Sequence, residues 1–365
     1  MSKILFLTGS LGFGGAEKML TFVANQLNIR GNTVGIINLN RVPDYLKKSK
    51  QSIDAGIVVY EIENSGSGIK RCVRDLSFVI KIAKKFKPDI LIGFTEKPSL
   101  YAKLSSVLLG IPSIMCERGD PNRTNGRKGL NNKIVAAIIE RSKGAIFQTE
   151  GAQAFFSNNL KKRSAIIPNP IFINRVIGER PSIPNKTVVS VGRLDNEQKR
   201  YDVMIKAFEL FYKTHPDYIL KLYGDGIDRQ EIEKMIDDLN LTNAIKLMGV
   251  SKNPLADIVT DGIFIITSDY EGISNSLLEA MAVGLPCVST DHTPGGARLL
   301  IQDHENGLLA PIGDYEKLAA CLAEYADDPQ LAIRCGKNAK NVISRFNPQR
   351  IIDMWEGYIL KIIGN

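Results

Sequence analysis

Short apolar runs alternate with longer stretches of helical period along almost the whole chain. Ile4–Thr8, Thr33–Leu39, Ile57–Ile62, Asp89–Phe94, Pro112–Cys116 and Ala145–Gln148 read as strands. Between them lie a helix ending near Arg30 and amphipathic stretches at Ile69–Lys87, Pro98–Leu109 and Leu130–Arg141. Val73, Leu76, Val79, Ile80 and Ala83 share one face of the second stretch, and Pro88 ends it. Repeated strand–helix units predict parallel sheets covered by helices on both faces. Pro168-Asn169-Pro170 interrupts the rhythm, and the proline-rich stretch to Pro184 reads as a linker over 171–185. A second series then begins with strand Thr187–Val191. It continues through strands Tyr218–Tyr223, Ile245–Met248, Gly262–Thr267 and Pro286–Thr290, and helices from about Asp202, Asp228 and Asn275. Helical stretches Asp314–Ala326, Gln330–Ser344 and Gln349–Ile363 close the chain. The predicted class is α/β, with two doubly wound, Rossmann-like domains at 1–170 and 186–348.

Composition narrows this little, because 365 residues with 44% hydrophobic and 24% charged residues suit two ordinary globular domains. No apolar run reaches the ~20 residues of a membrane span, and the first residues form a strand pattern too soon broken by glycines for a signal peptide. Cys72, Cys116, Cys287, Cys321 and Cys335 form no Cys-x-x-Cys pair, and are expected to be reduced, buried thiols of a cytoplasmic protein. The three histidines, His215, His292 and His304, show no zinc spacing. Charge is more informative. Residues 1–180 carry 28 Lys/Arg against 13 Asp/Glu, and the remainder 19 against 26. A basic first half without aromatic nucleic-acid motifs argues against nucleic acid. It suits either a solvated basic surface or contact with an anionic membrane face, where each Lys or Arg contributes about 1 kcal/mol.

Candidate chemistry concentrates in the second half. Strand Gly262–Thr267 delivers Glu271 to its carboxyl end. Gly272, Ile273, Ser274 and Asn275 then turn into a helix carrying Glu279. Helix amino ends attract anions, so this layout suits a sugar diphosphate, with carboxylates accepting hydrogen bonds from hydroxyls. Strand Thr187–Val191 runs into Gly192-Arg193-Leu194, and Lys199 precedes the next helix; this places two cations where a pyrophosphate would be clamped. Each could equally pair with Asp195 or Glu197 as a surface charge. The loop containing Gly9, Gly12, Gly14 and Gly15 lacks the Gly-x-Gly-x-x-Gly spacing of dinucleotide sites, which disfavours an NAD-dependent dehydrogenase.

Gly192-Arg193-Leu194 with Lys199, Gly224-Asp225-Gly226, the Glu271–Glu279 pair, Gly14-Gly15-Ala16-Glu17 and Asn306-Gly307-Leu308-Leu309 occur in the order seen in retaining glycosyltransferases of family 4, which this chain resembles over nearly its whole length. The resemblance implies the GT-B fold of two facing domains, with the last helix returning to the first. It also implies a nucleotide-sugar donor, most simply a UDP-sugar, on the second domain and a glycan acceptor on the first, with no cofactor and no metal. Arg193 and Lys199 would neutralise the leaving diphosphate. Glu271 would serve the donor sugar and its anomeric carbon, Glu279 the ribose, and Gly224, Asp225, Gly226, Met248 and Val250 the base. Gly14 and Gly15 would pack on the phosphates or acceptor. A lipid-linked acceptor in surface polysaccharide synthesis follows from the family, as does peripheral membrane association.

Two departures stand out. Family members often place a histidine near Cys116-Glu117-Arg118-Gly119-Asp120-Pro121; here Glu117 and Arg118 are the substitutes expected to contact acceptor or donor sugar. Leu299 stands where an acid is common. A sugar-nucleotide epimerase of similar shape, or a sugar-nucleotide-binding protein without activity, would use the same donor pocket. An epimerase would need acid and base groups that a first half without histidine does not obviously supply.

Overall fold

A computed structural model describes residues 1–12, 15–40, 53–62, 68–124, 130–172 and 185–364. The chain divides into two compact units, residues 1–170 with 348–365, and residues 171–347. Gly14 and most of the 171–185 stretch lie outside the described residues.

In the first unit, β1 (Lys3–Thr8), β2 (Thr33–Asn38), β3 (Val58–Glu61), β4 (Ile90–Phe94), β5 (Ser113–Cys116), β6 (Gly144–Phe147) and β7 (Ser164–Ile166) form one sheet of order β3-β2-β1-β4-β5-β6-β7. Every pairing is parallel. The central strands bury both faces, which is why they read as continuous apolar runs. β7 escapes the sequence pattern because its three residues are only half-buried. Helix Pro348–Gly364 belongs to this unit. Its fully buried Trp355 stacks on Phe94 with ring centroids 5.8 Å apart. Burying one such side chain stabilises by about 1.5–3 kcal/mol. Arg30 holds the outer face of the same helix through Asp353 at 2.6 Å and Glu356 at 2.7 Å.

The second unit repeats the plan with β8 (Thr187–Val191), β9 (Ile219–Tyr223), β10 (Ile245–Gly249), β11 (Ile263–Ile266), β12 (Cys287–Thr290) and β13 (Leu308–Ala310), all parallel, in the order β10-β9-β8-β11-β12-β13. Apolar clusters fill both faces, one around Phe208, Leu220 and Leu322, the other around Phe264, Leu277 and Met281. Two sequence expectations change. The predicted helix Gln330–Ser344 is two, Pro329–Ala339 and Val342–Arg345. Cys72 is exposed on helix Gly68–Phe86, whereas the other four cysteines are buried. Among the described residues no helix is long and apolar enough to cross a membrane.

Candidate active site

In both sheets the strand order reverses beside the first strand of the series, and at such a switch point the loops leaving the carboxyl ends diverge to form a crevice. In the second unit that point lies between β8 and β11. β8 leads into Gly192-Arg193-Leu194, and β11 leads through Thr267 and Ser268 to Glu271.

These two loops are sewn together. Thr267 donates its hydroxyl to the carbonyls of Lys199 at 2.9 Å and Arg200 at 3.0 Å. The Asp269 amide donates to the Gln198 carbonyl at 3.0 Å, and the Gln198 side chain donates to the Tyr270 carbonyl at 3.1 Å. Arg200 bridges Asp202 and Asp269, both at 2.9 Å, and these carboxylates raise its already high pKa. The short helix Asn196–Lys199 is capped by the Asp195 carboxylate, which accepts from the Gln198 amide at 3.2 Å.

The stitching carries Lys199 onto Glu271, where its ammonium donates to Oε1. The two side chains are 15% and 12% exposed, so the pair is held largely out of water. Ser268 also donates to Oε1, at 3.2 Å. Burial works to raise the Glu271 pKa, but the charge of Lys199 and the hydrogen bonds from Lys199 and Ser268, with a further contribution from the neighbouring His292 ring, outweigh it, leaving the carboxyl below its ordinary value. Arg193 takes the other course that its sequence context allowed. It is 63% exposed and bonds Asp195 at 2.7 Å, with a longer contact to Gln198 at 3.3 Å.

Glycines let neighbouring loops close on this pair. A Cβ at Gly224 would lie 1.8 Å from the Gly192 carbonyl oxygen, and one at Gly226 would lie 2.1 Å from that of Leu194. The Leu194 amide in turn donates to Asp225 at 3.0 Å, and the Gly224 amide to the Gly249 carbonyl at 2.8 Å. This lines up the exposed side chains of Met248 and Val250 beside the Gly224-Asp225-Gly226 loop. On the other side, a Cβ at Gly296 would lie 1.8 Å from the Gly272 carbonyl oxygen and 3.0 Å from a ring carbon of His292. Gly272, Ile273 and Ser274 are buried. Ser274 caps helix Asn275–Ala282 by accepting from the Leu277 amide, and half-buried Glu279 lies on that helix.

Sequence reasoning passed over His292. It follows β12, is fully buried, and neither ring nitrogen makes a well-formed hydrogen bond among the described residues. The Thr293 backbone lies close enough to favour its protonation weakly. The Glu271 amide donates to the Thr293 carbonyl at 2.8 Å, which ties the histidine loop to the glutamate loop. Burial lowers the His292 pKa, Lys199 lowers it further, and Glu271 opposes both without reversing the shift. The ring is therefore neutral at neutral pH. A histidine whose folded pKa is depressed costs stability as pH falls below its unfolded value of about 6.5, by up to about 1.4 kcal/mol per pH unit. Urea midpoints at pH 7.5 and 5.5 should fall further in the wild type than in His292→Gln; equal slopes would remove His292 from the acid response.

Other motif residues have structural tasks. Leu299 packs with the cluster containing Leu277 and Leu300, and its carbonyl accepts from Arg345 at 2.8 Å, so an apolar residue suits this position. Asn306 closes a turn by accepting from the Gln302 amide at 2.7 Å and donating to the Leu300 carbonyl at 3.1 Å before Leu308-Leu309 enter β13.

In the first unit, Glu117 is buried after β5. Its Oε1 accepts from the amides of Arg118 and Gly119, both at 3.0 Å, so the carboxylate braces its own turn. Arg118 lies over the Phe94 ring at 5.4 Å and donates to Asn169. Its Nε and Nη1 are buried without hydrogen-bond partners, and burial lowers its pKa to about 10. Unsatisfied guanidinium donors are costly, and these two leave Arg118 with hydrogen-bonding capacity to spare. Gly15 begins helix Gly15–Ile29, in which Glu17 accepts from Ser10 at 2.7 Å.

Residues 179–342 match the family described as glycosyl transferases group 1. A protein named as an uncharacterized glycosyltransferase of Haemophilus influenzae is 24% identical, the match spanning 98% of this chain and 100% of that protein. The N-acetylgalactosamine-N,N'-diacetylbacillosaminyl-diphospho-undecaprenol 4-alpha-N-acetylgalactosaminyltransferase of Campylobacter jejuni is 26% identical, with 96% of this chain and 97% of that one covered. The crystal structure of Anabaena HepE in complex with UDP-glucose superposes with a TM-score of 0.82 at 20% identity, over 99% of this chain and 100% of that one. Residues 179–342 thus match the glycosyl transferases group 1 family, in a chain of two Rossmann-like units that is similar over nearly its whole length to proteins named as glycosyltransferases.

Proposed function

We propose that the protein is a retaining glycosyltransferase that moves a sugar from a UDP-sugar to a lipid-linked glycan in surface polysaccharide synthesis, without a metal. The observation that carries this reading is the switch-point crevice of the second unit. There, the Lys199–Glu271 pair, exposed Arg193 and the amino end of helix Asn275–Ala282 sit on adjoining loops. Lys199 and Arg193 offset the charge that builds on the departing diphosphate. Glu271, kept ionised, stabilises positive charge at the anomeric carbon, and Glu279 receives the ribose hydroxyls. Met248 and Val250 offer apolar surface to the base, beside Gly224, Asp225 and Gly226. The acceptor hydroxyl attacks on the face that the diphosphate leaves. Arg118, with two unsatisfied donors, serves the acceptor on the first unit, and Glu117 braces the turn that carries it.

UDP as the leaving group is supported by the UDP-glucose complex of HepE. A lipid-linked acceptor is supported by the diphospho-undecaprenol substrate in the Campylobacter enzyme's name, and a surface-polymer role by the Rhizobium meliloti relative named as a lipopolysaccharide core biosynthesis glycosyltransferase. A thermal-shift panel of nucleotide sugars with free UDP and GDP tests the reading. A ligand at a hundred times its Kd should add about 2.7 kcal/mol of stability. A shift confined to UDP and one UDP-sugar is expected; no shift with any nucleotide would overturn the assignment.

A further inference from the structure

At the amino ends of β6 and β7, the opposite strand ends from the carboxyl end of β5 that leads into Glu117 and Arg118, the first unit carries a recess of about 300 Å³ lined by Lys143, Lys162, Arg163, Tyr358, Lys361 and Ile362. Its frame is rigid. The Tyr358 hydroxyl accepts from the Ala145 amide at 3.0 Å and donates to the Arg163 carbonyl, tying helix Pro348–Gly364 to the starts of both strands. Arg163 spends its donors on carbonyls, those of Ser142 at 3.0 Å, Asn159 at 3.2 Å and Glu140. Carbonyls hold a guanidinium but do not cancel its charge.

The recess is uniformly basic. Lys103 lies within electrostatic reach of the lining residue Arg163, and burial together with the charges of Arg163 and Arg141 lowers its pKa. None of Lys103, Arg141, Lys143, Lys162, Arg163 and Lys361 pairs with a carboxylate among the described residues. The contrast with the other end of the same helix, where Arg30 meets two carboxylates, is direct. Four cations around one depression repel each other, and an anion relieves that repulsion. The ammonium donors of Lys143, Lys162 and Lys361, with the charge of Arg163 beside them, suit a tetrahedral oxyanion.

We propose that this recess is a phosphate-binding site separate from the donor crevice. The ligand chemistry is a phosphate group, either on a lipid headgroup at a membrane surface or on a soluble anion. The inference does not rest on the glycosyltransferase reading, because every residue it uses lies in the first unit, at the amino ends of strands whose carboxyl ends face the side of Glu117 and Arg118.

The test uses the full chain as wild type, as Lys162→Glu with Lys361→Glu, as the milder Lys162→Gln with Lys361→Gln, and as Lys199→Ala to remove the cation of the donor crevice. Each is measured for thermal stabilisation by inorganic phosphate and pyrophosphate. Each is also measured for flotation with phosphatidylcholine vesicles, with and without phosphatidylglycerol. Reversing two lysines should weaken anion binding roughly tenfold or more, while Lys199→Ala retains it. Binding to anionic vesicles alone identifies a headgroup site, and stabilisation by free phosphate or pyrophosphate identifies a soluble anion. No binding in either arm, or charge-reversed and Gln variants that bind like the wild type, would overturn the proposal.

Discussion

Replacing Lys199 with alanine will lower turnover by about 10²–10³-fold, the usual loss when one donor to developing negative charge is removed. The structure adds a second consequence. Lys199 also neutralises Glu271, and both side chains are largely withdrawn from water. Removing one partner of a fully buried pair costs about 3–5 kcal/mol; here Ser268 still donates to the carboxylate and some solvent reaches it, so about 1–3 kcal/mol is expected. The pH dependence separates the two losses. Without Lys199 the Glu271 carboxyl is favoured in its neutral form, so the destabilisation is full above its raised folded pKa, eases as pH falls below that value and is gone below the unfolded pKa. Adding Glu271→Gln to Lys199→Ala should restore much of the stability and none of the turnover. Steady-state kinetics and urea midpoints on the two single variants and the double variant decide the matter. A lysine variant with unchanged kcat would remove Lys199 from the chemistry, and a double variant no more stable than Lys199→Ala would remove the ion pair from the fold.

Gly224→Ala should be the most disruptive small substitution in the donor crevice. At φ +141° the backbone occupies a region that side chains rarely adopt, and the new Cβ would lie 1.8 Å from the Gly192 carbonyl oxygen. The obstacle is backbone at the end of β8, so no rotamer change relieves it. The loop after β9 must move away from the loop after β8, breaking the Leu194–Asp225 and Gly224–Gly249 hydrogen bonds. About 3 kcal/mol of stability should be lost, with nucleotide-dependent stabilisation falling at the same time. Gly249→Ala is the control: its φ of +74° carries strain, but a Cβ there would meet nothing within 4 Å. Equal effects at both glycines would show that backbone strain, and not loop-on-loop packing, dominates.

How far the site is legible in the sequence depends on how local each feature is. Glu271, the turn after it and helix Asn275–Ala282 follow one another, so the strand-end carboxylate and the helix start could be read directly. The partnership of Lys199 with Glu271 spans 72 residues and depends on β8 and β11 lying side by side. Local pattern allowed Arg193 to pair with Asp195 and allowed Lys199 to pair with Asp195 or Glu197; folding realised the first and not the second. His292 gave no signal, because a lone histidine after an apolar run looks like any buried residue. Its importance comes from a loop that bonds the Glu271 backbone. The strands β7 and β13 were missed because three-residue strands have too few positions to show a period.

By itself the sequence determined that the chain forms parallel α/β layers, because doubly buried strands must be apolar throughout while helices need only one apolar face. It also determined which stretches carry glycine, carboxylate and cation at strand ends. Tertiary structure alone decided which of those groups meet. Strand order placed β8 beside β11 and made a crevice there, and glycines at 224, 226 and 296 let carbonyl-bearing loops close to distances that any Cβ would forbid. Loop packing also withdrew Lys199 and Glu271 from water, where charge acts most strongly.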